Sequence, residues 1–458
     1  MTIAVIDWAT ATPQRRATVL GRNQPAGGGP AASDMTAAPD LTAAIQELID
    51  DVASRGDRAL TDALARFDGV VATEIRVCEA EFDAVAEVIG PALTAAIDLA
   101  IERIGAFNSE IVRRSSWQMT TAGGGLVGEI ARPVDSAGLF VPCGKGSFPS
   151  VLLQIGVPAV TAGVSDLQVV VPPSPRLGGR VDPATLVVAR RLGISDVYRA
   201  NGPSGVAALA VGTETIRPVR TIVGPGSVAV ATAQQLVQAR GCRIVPGLGP
   251  TDSLVLADDT ADVAMLAADV LNEAEHGPDS SAVLISTDRD VLTRTAAEID
   301  RQLRDLPEPR RTWAHTSIGA NGGLVLADSW DRAIDIANDY APEHLQIATA
   351  HPHQLLDRVR HAGTVLLGQW TTFAGSNFVL GTPATLPTTG HAKNSSGVTA
   401  HTYLNRISIA DIDEDEFWTL ADAVKELARY EGFPAHEASV LTRERLAAVP
   451  SASPCVTY

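Results

Sequence analysis

Short β-rich apolar runs alternate with helical stretches between residues 136 and 250, and the same rhythm resumes after residue 251. Strands are expected over 138–141, 167–171, 196–199 and 221–223, with helices near 150–162, 183–192 and 204–211 between them. A second series of strands is expected at 253–257, 282–286, 323–326 and 364–367. Strands that alternate with helices in this way make parallel sheets of the doubly wound type. The expected fold is therefore α/β, with two Rossmann-like parallel-sheet domains, an N-terminal arm and a small helical C-terminal tail domain.

At 458 residues the chain exceeds the roughly 250–300 at which single cores stop growing, so more than one domain is expected. Residues 21–39 are rich in Gly, Ala and Pro and bury too little apolar surface to order themselves, so residues 1–40 are expected to form an arm or linker. From Leu41 the positions Leu41, Ile45, Leu48, Ile49 and Val52 repeat at three and four residues and stop at Gly56-Asp57, which marks an amphipathic helix. A second helix carries Leu60, Leu64 and Phe67. These helices open a first α/β domain, 41–135 with 251–395, around a second, dinucleotide-binding-like domain at 136–250. Residues 396–458 are expected to form the helical tail, with Phe417, Leu420, Val424 and Leu427 on one face.

Charge and cysteine usage narrow the function. The net charge of −17, from 36 Lys+Arg against 53 Asp+Glu, offers no phosphate-neutralising surface, which disfavours nucleic acid and anionic membranes as partners. Cys78, Cys143, Cys242 and Cys455 are scattered, without CxxC spacing, and fit a reducing compartment. No apolar run reaches the ~20 residues of a membrane span, and the first residues lack the basic and apolar regions of a signal peptide. A soluble, cytoplasmic protein is expected.

Several clusters can carry chemistry. The helix from Ala261 ends at Gly277-Pro278 with Glu273 and His276 on its last turn, three residues apart and on one face. A carboxylate and an imidazole so placed can hold a divalent ion such as zinc, but by themselves they fit better a solvated pair whose His complements the helix dipole. In Asp339-Tyr-Ala-Pro-Glu343-His344, Pro342 breaks the preceding helix, so Glu343 and His344 are expected on a turn, where they are either proton-transfer groups or ordinary surface residues. The loop 373–388 is poor in charge and follows a strand, as a pocket lining does. The turns at 142–147 and 224–226 each follow a strand, where backbone N–H groups can cradle an anion or simply turn the chain.

Taken in order, DDVASRGDRALTDALARFDG, RPVDSAGLFVP, TIVGPGSVAVA, GLGPTDSLVLAD, LNEAEHGPDS, NDYAPEHLQI, GTVLLGQW and GFPAHEASVLT resemble the histidinol dehydrogenase family from about residue 41 to about residue 445. The resemblance implies NAD-dependent oxidation of a small polar alcohol, L-histidinol by default, in a zinc-assisted homodimer. It places the metal on Glu273, His276, Asn377 and His436, the last contributed across the dimer by the tail. It makes Glu343 and His344 the catalytic pair: His344 takes the alcohol proton and Glu343 activates water for oxidation beyond the aldehyde. Thr251 and Glu431 fall at substrate-contacting positions, beside Glu273, His276, His344, Asn377 and His436. Phe140, Ser204 and Ser227 fall at NAD-contacting positions.

The departures from the family pattern are informative. Its metal-binding Gln is Glu273 here and its Asp is Asn377, so one carboxylate, one amide and two imidazoles remain and the charge around a zinc ion is unchanged. Its NAD-contacting Tyr, Gln and Asn are Phe140, Ser204 and Ser227, which removes or shortens three polar groups. Its Asn-His pair after the zinc loop is Pro383-Ala384, which implies a changed substrate head group. Besides the family default, two readings stay open: a paralogue oxidising another alcohol such as a sulfonated diol, and a catalytically silent binding homologue.

Overall fold

The computed structural model describes residues 3–21, 39–72, 74–85, 88–143 and 146–448. Most of the expected linker, Gly144 and Lys145 of the first glycine turn, and Cys455 lie outside these residues. In chain order the strands are β1 (Val5–Asp7), β2 (Trp117–Thr120), β3 (Leu126–Pro133), β4 (Ser136–Phe140), β5 (Asp166–Val171), β6 (Val197–Arg199) and β7 (Thr221–Val223). They continue as β8 (Arg243–Ile244), β9 (Asp252–Ala257), β10 (Ser281–Ser286), β11 (Gly323–Leu326), β12 (His344–Ala348), β13 (Thr364–Leu367) and β14 (Leu404–Asp411).

The chain divides into two compact units, Met1–Val112 with Pro133–Leu404, and Arg113–Arg132 with Asn405–Tyr458. The first unit contains two parallel sheets. One has the order β1-β11-β10-β9-β12-β13, the other β6-β5-β4-β7-β8. Helices cover both faces of such sheets, so the central strands are buried along their whole length, as β4, β9, β10 and β12 are. The α/β class is thus the one the alternating pattern implies.

The domain boundaries differ from expectation in three places. At the N-terminus, β1 pairs in parallel with β11 and buries Ile6 and Trp8 in the first sheet's core, so this part of the expected arm belongs to the sheet. Its three residues are too short to show a period in sequence. The helices from residue 39 onward pack on the second sheet rather than the first: Ile45, Ile49, Val52 and Leu60 share a core with Val206, Leu209, Val230 and Val237. Periodicity reveals that a helix buries one face, not what covers it. Residues 113–132 lie with the C-terminal unit, not the first α/β domain.

That C-terminal unit is not wholly helical. Its sheet has the order β14-β3-β2, with the helices Glu414–Glu431 and Pro434–Ala447 following. Asp413 caps the first of these helices through the Glu416 N–H, and Gly432 in the left-handed conformation ends it. The expected apolar face is present, but Leu420, Val424 and Leu427 are exposed.

In the second sheet the strand order reverses between β4 and β7, the switch point where open α/β sheets bind ligands beyond their strand ends. Gly224, directly after β7, has φ of 150°, and a Cβ there would lie 2.0 Å from the Phe140 carbonyl oxygen. Only glycine permits this approach. Gly224→Ala is therefore expected to destabilise the protein by on the order of 3 kcal/mol, read as a lower urea midpoint; an unchanged midpoint contradicts the close packing of this switch point.

Candidate active site

The helix Val263–Ala274 follows β9 and runs back antiparallel to the strands. Asp262 starts it, its carboxylate accepting the Ala264 and Met265 N–H groups at 2.8 and 3.1 Å. Its last turn, with Glu273 and His276 just beyond, therefore returns to the N-terminal edge of the first sheet. At that edge begin β9 with Asp252, β10 with Ser281 and β12 with His344.

Glu273 is 1% exposed. Its Oε1 accepts hydrogen bonds from Asn272 Nδ2 at 2.6 Å and Asn377 Nδ2 at 2.8 Å. Its Oε2 is buried without a hydrogen-bond partner and lies 3.9 Å from His276 Nδ1. Burial raises this carboxyl, but the fields of His276 and His344, with the bonds from Asn377 and Asn272, outweigh it and hold the group below its ordinary value. His276 Nδ1 lies 3.1 Å from the Asn272 carbonyl and 3.2 Å from that of Glu273, which favours the hydrogen on Nδ1 and leaves the Nε2 lone pair available.

His344 is 1% exposed, and both its ring nitrogens are buried without hydrogen-bond partners. Burial pushes its pKa below the ordinary 6.5, with the charges of Glu273 and Asp252 pulling back. Phe373 meets the imidazole edge-on, centroids 5.8 Å apart. Glu343 is buried, its Oε1 4.0 Å from His344 Nδ1, and its Oε2 accepts the Asp252 N–H at 3.2 Å. The expectation of a projecting turn is corrected here. His344 begins β12, and the polar residues at alternate positions of His-Leu-Gln-Ile-Ala hide an otherwise buried strand.

Glu273, His276 and Asn377 come together around the buried oxygen, with His344 electrostatically coupled to them. This donor set fits a divalent cation: a buried carboxylate oxygen lacking a donor, an available imidazole nitrogen and an amide whose nitrogen is already engaged. Among the described residues no group of three or more His, Cys, Asp or Glu side chains is arranged to hold a metal. His436 and Glu431 belong to the C-terminal unit; both are exposed, Glu431 ending one helix and His436 lying in the next, stacked on Phe433 at 5.0 Å. Thr251, half-buried, directly precedes β9.

At the second sheet's switch point, Phe140 ends β4 and is buried, and Ser227 caps the helix Val228–Gln238 by accepting the Val230 N–H at 3.4 Å. Ser204 is fully buried and donates to the Asn201 carbonyl at 3.2 Å. The topology suits a dinucleotide, but these three side chains present little free polarity to one.

Sequence reasoning passed over four residues beside the site. Asp252 accepts the Glu343 N–H at 2.7 Å. Gln154, buried, receives the Ala384 N–H at 3.1 Å and donates to the Asn377 carbonyl at 3.4 Å. Asp269 sits one helical turn before Glu273, and Gln346, two residues beyond His344 on the same strand face, donates to it at 2.8 Å. The polar residues His344 and Gln346, two apart in β12, are the one sequence signal that points to this buried seam.

Burial pushes the Asp269 carboxyl up from 3.8 to about 6, the Gln346 bond opposing it and the Glu273 charge adding to it. A raised folded pKa means the stability is complete below pH 3.8 and declines as pH rises through about 6, by roughly 3 kcal/mol. Asp269→Asn, which can still accept from Gln346, is expected to raise the urea midpoint of metal-stripped protein at pH 8 and barely change it at pH 4. Equal destabilisation at both pH values contradicts this.

Residues 32–444 match the family described as histidinol dehydrogenase. A histidinol dehydrogenase of Deinococcus radiodurans is 40% identical over 400 residues, covering 87% of this chain and 90% of that protein. A histidinol dehydrogenase homolog of Cereibacter sphaeroides is 39% identical over 399 residues, covering 86% and 89%. The crystal structure of histidinol dehydrogenase from Elizabethkingia anophelis superposes with a TM-score of 0.90 at 29% identity, covering 98% of this chain and 99% of that one. Sequence and fold agree over nearly the whole length, and the chain belongs to the histidinol dehydrogenase family of oxidoreductases.

Proposed function

We propose that this chain is a zinc-assisted, NAD-dependent dehydrogenase of a small polar alcohol, with L-histidinol, oxidised through its aldehyde to L-histidine in amino-acid biosynthesis, as the first substrate to test. One contact carries the reading: Asn377 Nδ2 donates to Glu273 Oε1 at 2.8 Å, beside a buried Glu273 Oε2 without a partner. The two residues that differ from the family's metal ligands thus differ as a touching pair, exchanging carboxylate and amide at unchanged total charge. Glu273, His276 and Asn377 would hold the cation, with His436 supplied by a second copy in a homodimer.

When bound, Zn2+ supplies a Lewis acid that fixes and polarises the substrate's polar groups, and NAD supplies the hydride acceptor. The chain's own residues move the protons. His344 is kept neutral by burial and accepts the alcohol proton through an unpaired ring nitrogen. Glu343 activates water if the aldehyde is carried to the acid. Phe373 and the buried strand fix the imidazole and exclude water. Thr251, and Glu431 from the second copy, are assigned to substrate binding.

One observation favours a related substrate over histidinol. Pro383 and Ala384 bring no polar side chain to the loop after Asn377, and their backbone is held by Thr364 Oγ1 at 3.0 Å and Gln154 Oε1 at 3.1 Å. Metal analysis of purified protein, with NAD reduction on amino alcohols and diols that include histidinol and a sulfonated diol, separates the possibilities. Zinc with turnover on histidinol supports the first reading, and zinc with turnover on another alcohol supports a paralogue. Neither metal nor turnover identifies a silent homologue and overturns the proposal.

His344→Asn is expected to lower kcat by about 10²- to 10⁴-fold with zinc content unchanged. The base works only when neutral, so kcat/KM should fall as pH drops through a value below 6.5, the direction in which burial moves this imidazole. An acid limb above 6.5 argues against His344 as the base.

A further inference from the structure

Two backbone positions stand out from the rest of the molecule. Ala341, at φ 49°, and Thr389, at φ 55°, are the non-glycine residues with positive φ among those described. Left-handed backbone is uncommon for alanine and a genuine outlier for a β-branched residue, and it persists only where surrounding contacts impose it. The two residues are far apart in sequence, yet one side chain serves both segments.

That side chain is Asp252, the first residue of β9, 1% exposed. Its Oδ1 accepts the N–H of Glu343, two residues beyond Ala341, at 2.7 Å. Its Oδ2 accepts the N–H of Thr389 itself at 2.6 Å. Its own N–H donates to Glu343 Oε2 at 3.2 Å, so Asp252 holds Glu343 by both main chain and carboxylate. Further contacts close the same junction: Thr388 N–H donates to the Gly247 carbonyl at 2.8 Å, and Thr388 Oγ1 accepts from the Gly249 N–H at 2.9 Å.

We propose that Asp252 is a positioning residue for the proton-transfer pair. Its carboxylate ties the Ala341–His344 segment to the turn at Thr389 and fixes where Glu343 and His344 point. A carboxylate suits this task because both oxygens accept, whereas an amide of the same shape offers one acceptor and turns a donor toward the second N–H. Burying a charge is costly without paired donors, and here the two backbone N–H groups supply them. Because Asp252 acts on the proton-transfer pair, through Glu343, the backbone before His344 and its charge near that imidazole, its removal should act on turnover more than on binding.

The kinetic part of this proposal rests on the dehydrogenase reading above; the backbone part does not. Asp252→Asn and Asp252→Glu are compared with wild type as purified, by hydrogen exchange and by steady-state kinetics. In Asp252→Asn the amides of Glu343 and Thr389 should exchange roughly tenfold to a hundredfold faster. kcat should fall by about 10²-fold with KM and zinc content little changed. Asp252→Glu, which keeps both acceptors, should restore most of the protection and most of kcat. Unchanged exchange in Asp252→Asn overturns the clamp whatever the activity, and lost protection with wild-type kcat overturns the positioning role. Intact protection in a wild type that turns over no alcohol sinks the dehydrogenase reading and leaves the clamp standing.

Discussion

The site depends on one buried carboxylate. Glu273 lies at the end of a helix that begins beyond the C-terminal ends of the strands and returns to their N-terminal edge, so the direction of a single crossover sets where its chemistry can happen. An isolated ionised carboxylate in that position is costly, because desolvation there far exceeds what one weak contact returns. Two amides, Asn272 and Asn377, meet one oxygen and leave the other without a donor. A carboxylate half satisfied in this way fits a cation, and the neighbouring imidazoles lower its pKa.

The two parallel sheets contribute in opposite senses. The first offers its N-terminal edge, where Asp252, Ser281 and His344 begin their strands; the second offers the C-terminal switch point between β4 and β7. Gln154 physically joins the halves. It lies on the helix Pro149–Ala162 that follows β4, and its amide holds the backbone at Asn377, in the short helix Phe373–Phe378 after β13 of the first sheet, and at Ala384 in the loop beyond. The crevice at the switch point and the cluster around Glu273 are therefore parts of one packed unit.

Much of this was legible in the sequence because long apolar runs report burial directly. The strands at 221–223, 323–326 and 364–367 have the extents that their Val, Ile and Leu content implied. β12 was not legible, since His344 and Gln346 interrupt its apolar run, and those same two residues carry the site. β1 was too short to show a period, and the helix from residue 39 announced a buried face without naming its partner. Glu273 and His276 come close as their spacing implied, although the helix ends at Ala274 and His276 lies just beyond it. The approach of Asn377, about a hundred positions later, and the double grip of Asp252 depend on tertiary packing that no local spacing encodes.

The central proposal is that Glu273 and Asn377 form a cation site in which carboxylate and amide have changed places relative to the family pattern, and exchanging them back tests it most directly. Zinc content and affinity should be measured for Glu273→Gln, for Asn377→Asp and for the double variant. The single Glu273→Gln removes the only carboxylate of the set and should weaken zinc binding by roughly tenfold or more, while the double variant restores the charge and should recover it. Equal zinc affinity in wild type, single and double variants would contradict the account.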